Sequence, residues 1–319
     1  MNRTTTSALV VLVIATLLWW HWPASGAPSV VHVAAAGDMA CSSSDPRFAD
    51  GAGRDGWCAQ RAVSDLIADR DLDALFGLGD YQYEDARSDD YHDVYGPTWG
   101  RLRAITRPAL GNQEYKVHDA NTFTDYFGSR APHADSGWYS YDLGQWHVVV
   151  LNSNCAFAGG CDGASPQVQW LTADLAGDHH ACTIAYWHHP RWSTGLYGGD
   201  ERTDTLWRAL ADGGADVVLA AHEHDYERFR PLDADGRQAA GGVTSFVVGS
   251  GGQAVYGPDD VAGGGDPSPG RRLQTAASAV RIDDRPGALL LTLANGSFDW
   301  QFVDVDGTTK DQGTTPCTH

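Results

Sequence analysis

Five short apolar runs, each leading to a residue that can bind a cation, constrain this chain more than any other feature. Val30 to Ala36 runs into Gly37-Asp38, Asp73 to Phe76 into Gly77-Leu78-Gly79-Asp80, and Trp146 to Leu151 into Asn152. Cys182 to Trp187 then runs into His188, and Val217 to Ala221 into His222. Such runs have the length and composition of buried strands. Amphipathic segments lie between them, among them Gln60 to Arg70 with Val63, Leu66 and Ile67 on one face, and Pro166 to Ala176 with Val168, Leu171 and Leu175. Alternating strands and helices imply an α/β fold. In such folds sites gather at the carboxyl ends of strands, where these polar residues fall.

Beyond Arg228 the pattern changes. Val243 to Val248, Ala277 to Ile282, Ala288 to Leu293 and Asp299 to Val305 read as successive strands that could form a second sheet packed on the first. Gly249 to Gly270 reads as a surface loop, because its glycines lack the strand–loop–helix context of a phosphate cradle. One domain over residues 28–319 is the simplest account.

The chain has 319 residues, 42% of them hydrophobic, enough for a large core. Its 22 basic and 41 acidic residues give a formal net charge of −19. Such a surface repels phosphate backbones at long range, and no grip on nucleic acid is expected. Residues 1–27 read as a secretory signal, with Arg3, an apolar run from Ala8 to Trp20 and the small residues Ala24-Ser25-Gly26-Ala27. The alternative is a retained anchor, for which the run falls short of the roughly 20 residues that span a bilayer. The expected location is secreted or extracytoplasmic, with membrane contact only if this segment is kept. Six cysteines suit disulfides in such a compartment. Cys41–Cys58 and Cys155–Cys161 would close short loops, which leaves Cys182–Cys317. With no Cys-x-x-Cys pair, a metal role for them is poorly supported.

The chemistry lies in an ordered series: Gly37-Asp38, Gly79-Asp80-Tyr81-Gln82-Tyr83, Gly111-Asn112-Gln113-Glu114, His188-His189-Pro190, and His222-Glu223-His224-Asp225-Tyr226-Glu227-Arg228. Carboxylate, amide oxygen and imidazole suit Fe, Zn or Mn, and a carboxylate can bridge two ions with its two oxygens. In a strand-like stretch, residues at i and i+2 face one way, so His222 and His224 can share a site.

From Val31 to Arg228 the series resembles the calcineurin-like metallophosphoesterases, and most of all the purple acid phosphatases. The resemblance implies a sandwich of two mixed β-sheets flanked by helices, with two metal ions at the strand ends. It makes Asp38 and His224 ligands of the first metal, Asp80 the bridging carboxylate, and Asn112, His188 and His222 ligands of the second. Tyr83, three residues after Asp80, matches the phenolate that binds ferric iron in those enzymes; the second ion would be Zn, Mn or Fe. The resemblance selects His188, two before proline, as the ligand and leaves His189 as a candidate phosphate contact. Asp225, Glu227 and Arg228 would be supporting partners.

One departure stands out. The family usually reads Gly-Asn-His-Glu in the third motif, where the histidine sits near the leaving group, and here the position is Gln113. Glutamine donates a hydrogen bond but delivers no proton, so general-acid help worth roughly 10²–10⁴-fold is missing or comes from elsewhere, with His118 and His189 as possible sources.

Trp138, Trp146, Trp170 and Trp187 read as core or cleft wall, and His147, His179 and His180 have no ligand-like context. The expected activity is an acid-phosphatase-like phosphomonoesterase using a metal-bridging hydroxide on a small phosphorylated substrate. The rivals are a phosphodiesterase acting on nucleotides or lipid head groups, and a non-catalytic metal-binding surface protein. Only about thirty residues precede the first ligand strand. The resemblance places dimer contacts on a preceding β-sandwich domain, so a monomer is expected.

Overall fold

The computed structural model describes residues 30–117, 120–132, 136–256 and 278–318. The expected signal segment, His118 and the glycine-rich stretch from 257 onward lie outside them. In chain order the strands are β1 (Val30–Ala36), β2 (Ala74–Gly77), β3 (Thr106–Pro108), β4 (Tyr139–Leu143), β5 (Trp146–Val150), β6 (Cys182–Tyr186) and β7 (Val217–Ala220), then β8 (Tyr226–Phe229), β9 (Thr244–Val248), β10 (Ser278–Ile282), β11 (Gly287–Ala294), β12 (Ser297–Asp304) and β13 (Thr309–Pro316). The α-helices are α1 (Gln60–Ala68), α2 (Ser88–Asp90), α3 (Asn121–Phe127), α4 (Pro166–Gly177) and α5 (Asp204–Asp212).

Two mixed sheets stack face to face, ordered β13-β12-β11-β1-β2-β3 and β10-β8-β9-β7-β6-β5-β4. The strand period of two assigns each side chain to a layer. In β1, Val31, Val33 and Ala35 enter the core between the sheets with Trp146, Val148 and Val150 of β5 and Ile184 and Tyr186 of β6. The alternate Ala34 and Ala36 pack outward with Val63 and Ile67 of α1. On the other side, Val149 and Ala185 face outward onto Val168 and Leu171 of α4 and Leu206 and Leu210 of α5. Fully burying each Val, Leu or Ile of these layers contributes about 1.5–3 kcal/mol.

The strands beyond Arg228 do not form a sheet of their own. β9 and β10 join the sheet of β5, β6 and β7, while the antiparallel β11, β12 and β13 extend the other sheet from β1. Each run shows at most which of its faces is buried, as β12 does with Phe298, Trp300 and Phe302 alternating with exposed Asp299 and Gln301, so periodicity alone could not say which sheet each strand completes. The expected pairs Cys41–Cys58, Cys155–Cys161 and Cys182–Cys317 are all present as disulfides. The third ties the start of β6 to the segment after β13, across the two sheets. Trp146 and Trp187 are fully buried, and Trp138 and Trp170 are partly buried against the α4–α5 layer.

Candidate metal centre

The loops after β1, β2, β3, β6 and β7 converge at one end of the sandwich. Three of their residues adopt a left-handed backbone immediately beyond a strand: Asp38 at φ 55°, Asp80 at 54° and His222 at 69°. Each such conformation costs a non-glycine residue roughly 1–3 kcal/mol and persists where its surroundings enforce it. They do so here. Asp38 N–H donates to Gly79 O at 3.1 Å, and His222 N–H donates to Asp38 Oδ2 at 2.7 Å. Gly79 itself requires glycine, since its φ is 93° and a Cβ would lie 2.6 Å from Gly111 N. The left-handed His222 also revises the i, i+2 argument. β7 ends before it, and His222 and His224 reach the site from an irregular turn.

The side chains form two sets of donor atoms. In the first, Tyr83 Oη stands 2.6 Å from Asp38 Oδ1, 2.8 Å from Asp80 Oδ2 and 3.2 Å from His224 Nε2; His224 Nε2 is also 3.2 Å from Asp38 Oδ1. In the second, His188 Nε2 stands 3.1 Å from Asn112 Oδ1, 3.3 Å from Asp80 Oδ2 and 3.3 Å from His222 Nδ1. Asp80 Oδ2 belongs to both. Its other oxygen, Oδ1, accepts the Gln113 N–H at 2.8 Å, so a single carboxylate oxygen is common to the two sets.

These atoms fit cations and poorly fit protons. The single phenol proton of Tyr83 cannot serve Asp38, Asp80 and His224 at once. His188 Nδ1 donates to the Leu78 carbonyl at 2.9 Å, so a neutral ring turns a lone pair on Nε2 toward two oxygen acceptors, Asn112 Oδ1 and Asp80 Oδ2, and a charged ring has one N–H for both. The electrostatics express the same demand. Burial disfavours the His188 imidazolium, yet the Asp80 carboxylate overrides it and lifts its pKa to about 9. Asp80 is held at about 2 against its burial, chiefly by His188, and burial followed by His188 pushes His222 down to about 4. A mixed oxygen and nitrogen set of this kind suits Fe, Zn or Mn.

Known proteins resemble this chain in sequence and in fold. Over 189 residues, or 53% of this chain, the sequence is 32% identical to purple acid phosphatase 21 of Arabidopsis thaliana and covers 41% of that protein. It is 29% identical over 221 residues to purple acid phosphatase 22 of the same plant, covering 63% of this chain and 48% of the relative. A purple acid phosphatase from yellow lupin superimposes with a TM-score of 0.71 over 90% of this chain and 54% of its own, at 18% identity. In fold, and in sequence over about half its length, this chain resembles the calcineurin-like metallophosphoesterases of the purple acid phosphatase type. No family model matches it. The chain spans less than half the length of these curated relatives. The purple acid phosphatase relatives imply a pair of metal ions, and the two donor sets could hold one each.

Several residues around this candidate metal site carried no role in the sequence reading. Glu114 is buried and works as a buttress: its Oε2 accepts N–H groups of Asp80 at 2.9 Å and Gly111 at 2.7 Å, and its Oε1 accepts that of Tyr81 at 3.0 Å. It thereby joins the loops that present Asp80 and Asn112. A cavity of about 570 Å³ opens over both donor sets. Arg47 is the one Lys or Arg among its described lining residues; its guanidinium is gripped by Asp45 at 2.9 and 3.0 Å and lies 3.6 Å over the Trp57 ring. Tyr197 and Tyr256 form an aromatic rim, Tyr197 beside His222 at 5.4 Å and Tyr256 stacked on His224 at 4.5 Å. These groups come from loops far apart in the chain, and only the fold brings them together.

The remaining expected site residues fall in place around the donors. Gln113 lines the cavity, and its side-chain oxygen Oε1 has no partner among the described residues. His189 packs against His222 at 4.4 Å. The Ser153 hydroxyl accepts the His189 backbone N–H at 2.9 Å and stands 2.9 Å from His189 Nδ1. Asp225 pairs with Arg281 at 2.8 Å, Glu227 accepts from Thr194 and Ser278, and Arg228 pairs with Asp311. All three support the site without entering it. His147 and His180, set aside on sequence, in fact lie together with Asp142.

Proposed function

We propose that this protein is an exported phosphoesterase with two metal ions, acting as a phosphomonoesterase on small aryl or similarly activated esters. The observation that carries this reading is the pair of donor sets sharing Asp80 Oδ2. Asp38, Tyr83 and His224 would hold the first ion with Asp80, and Asn112, His188 and His222 the second. A phenolate favours a hard trivalent ion, so ferric iron is assigned to the first set, with Zn, Mn or Fe in the other. When bound, the ions supply Lewis acidity toward a phosphoryl oxygen and acidify a coordinated water.

The chain's own groups do the rest. Arg47, pre-set by Asp45 and Trp57, offers a planar guanidinium to the phosphate's remaining charge. Burial with the neighbouring His222 and His188 holds the pKa of His189 well below the usual value, so it stays neutral; with Nδ1 accepting the Ser153 hydroxyl proton, its Nε2–H would serve as a second donor. The Gln113 amide can orient an ester oxygen and cannot protonate it. Leaving groups that depart as stable anions are therefore preferred, and the rim of Trp57, Tyr197 and Tyr256 offers them aromatic surface. Export is supported by the three disulfides. None of the described helices is long and apolar enough to cross a membrane. We further take residues 28–319 to act as one monomeric unit, in keeping with β11 to β13 returning to β1.

The test is a panel of aryl monoesters and diaryl diesters with the purified full chain, beside its visible absorption spectrum. The proposal expects faster monoester turnover and a charge-transfer band that disappears in Tyr83→Phe. A diester preference would shift the assignment to a phosphodiesterase. No band in oxidised, iron-replete protein would remove the phenolate–iron assignment.

A further inference from the structure

At the opposite end of the same sheet lies a second cluster of metal-binding side chains. Asp142 on β4 and His147 on β5 are direct partners in the antiparallel ladder, so their side chains emerge on one face. His180 sits just before β6. Asp142 Oδ1 stands 3.3 Å from His147 Nδ1 and 3.9 Å from His180 Nε2, and these three atoms lie within 4.8 Å of one another. Ligands of a tetrahedral ion with bonds of roughly 2.0–2.2 Å are separated by about 3.3–3.6 Å; Asp142 and His147 already stand at that spacing, His180 must approach Asp142 by a few tenths of an ångström, and the two rings must close from a separation of up to 4.8 Å.

We propose that Asp142, His147 and His180 form a zinc site independent of the dinuclear centre. The far side of each ring supports this. His147 Nε2 donates to Asp174 Oδ2 at 2.8 Å and His180 Nδ1 to Asp178 Oδ1 at 2.6 Å, which leaves His147 Nδ1 and His180 Nε2 to face Asp142. A histidine held by a carboxylate behind it is the usual support of a metal-binding imidazole, fixing its orientation and raising its basicity. The carboxylates are held in turn: Asp174 Oδ1 accepts from Ser140 Oγ at 2.7 Å, and Asp178 Oδ2 accepts from Thr183 Oγ1 at 3.1 Å. Two imidazoles and one carboxylate, with the Asp142 side chain 62% exposed and the His180 side chain 29% exposed, leave a fourth position open to water or an outside ligand. The ion would pin the edge strand β4 to the segment between α4 and β6. The same carboxylates hold a proton on His147, so proton and zinc compete for it and affinity falls in acid.

The experiment is equilibrium dialysis of the full chain against Zn²⁺ at pH 7.5 with metal counted by emission spectroscopy, beside Asp142→Asn and His180→Gln. The wild type is expected to hold one more zinc per chain than either variant, with all three turning over an aryl phosphate at similar rates. Zn²⁺ is also expected to raise the wild-type Tm by a few degrees, about the shift of ligand at a hundredfold excess over Kd, and to raise neither variant's by as much. Melting in chelator checks that the variants fold. Equal zinc counts and equal shifts would overturn the proposal and leave His147 as an ion pair with Asp142 and Asp174.

Discussion

Asp311 on β13 joins the two sheets directly behind the turn that carries His224. It accepts from Tyr226 Oη at 2.7 Å, from Arg228 Nε at 2.7 Å and Nη2 at 3.1 Å, and from Trp300 Nε1 at 3.1 Å. Its side chain is 8% exposed, and that of Arg228 19%. Removing one partner of a buried pair costs about 3–5 kcal/mol; since Arg228 keeps some access to water, about 3–4 kcal/mol is expected for Asp311→Ala. Asp311→Asn keeps the shape and part of the bonding and should cost roughly 2 kcal/mol.

The sign of its pH dependence follows from the same contacts. Burial raises the Asp311 carboxyl, but the bonds from Arg228, Tyr226 and Trp300 outweigh it and hold the pKa below the ordinary value. The native state therefore favours the ionised form. Its contribution is complete above the unfolded pKa of about 3.9 and fades as pH falls below that value through the folded one. Urea denaturation of wild type and Asp311→Asn, with the disulfides intact, reads this directly. A gap of roughly 2 kcal/mol at pH 7 should narrow steadily below about pH 4. A gap under 0.5 kcal/mol at pH 7, or one unchanged at pH 3, would refute the reasoning.

Two substitutions probe the site itself. Gln113→His should restore proton delivery, raising kcat/KM on alkyl phosphates by roughly 10²–10⁴-fold while changing aryl phosphates little; equal rates on alkyl phosphates would show that Gln113 does not limit the reaction. Glu114→Gln places an NH₂ group against an N–H that the carboxylate now accepts, at a cost of about 1–3 kcal/mol in the Asp80 and Gly111 loops. Bound metal per chain and turnover should both fall, with an unchanged far-UV spectrum, and full metal content would exclude a buttressing role.

The architecture and the positions of the candidate ligands could be read from the sequence because each candidate follows closely on its own strand. A buried run ending in Asp38, Asp80, His188 or His222 states both the element and the end of the sheet at which the site lies. Other features depend on contacts that no local pattern encodes. The strands beyond Arg228 divide between the sheets through pairings distant in sequence, β11 with β1 and β9 with β7. Arg47 owes its place to Asp45 and Trp57. His147 and His180 become neighbours only when β5 and β6 pair, and their orienting carboxylates arrive from α4 and the turn after it. The left-handed turns at Asp38, Asp80 and His222 were hidden too, since a non-glycine residue there is enforced by tertiary hydrogen bonds rather than local preference.

The central claim is metal-dependent phosphoester hydrolysis at the Asp80 centre. Its most direct test strips the purified full chain with chelator, returns iron and zinc stepwise, and follows aryl phosphate hydrolysis against metal bound, with Asp80→Asn alongside. The account predicts that activity returns with metal and levels off once the two Asp80-dependent sites are filled, and that Asp80→Asn neither retains both ions nor recovers turnover. Wild-type protein holding both ions without hydrolysing any ester in the panel, or an Asp80→Asn variant with full activity, would contradict it.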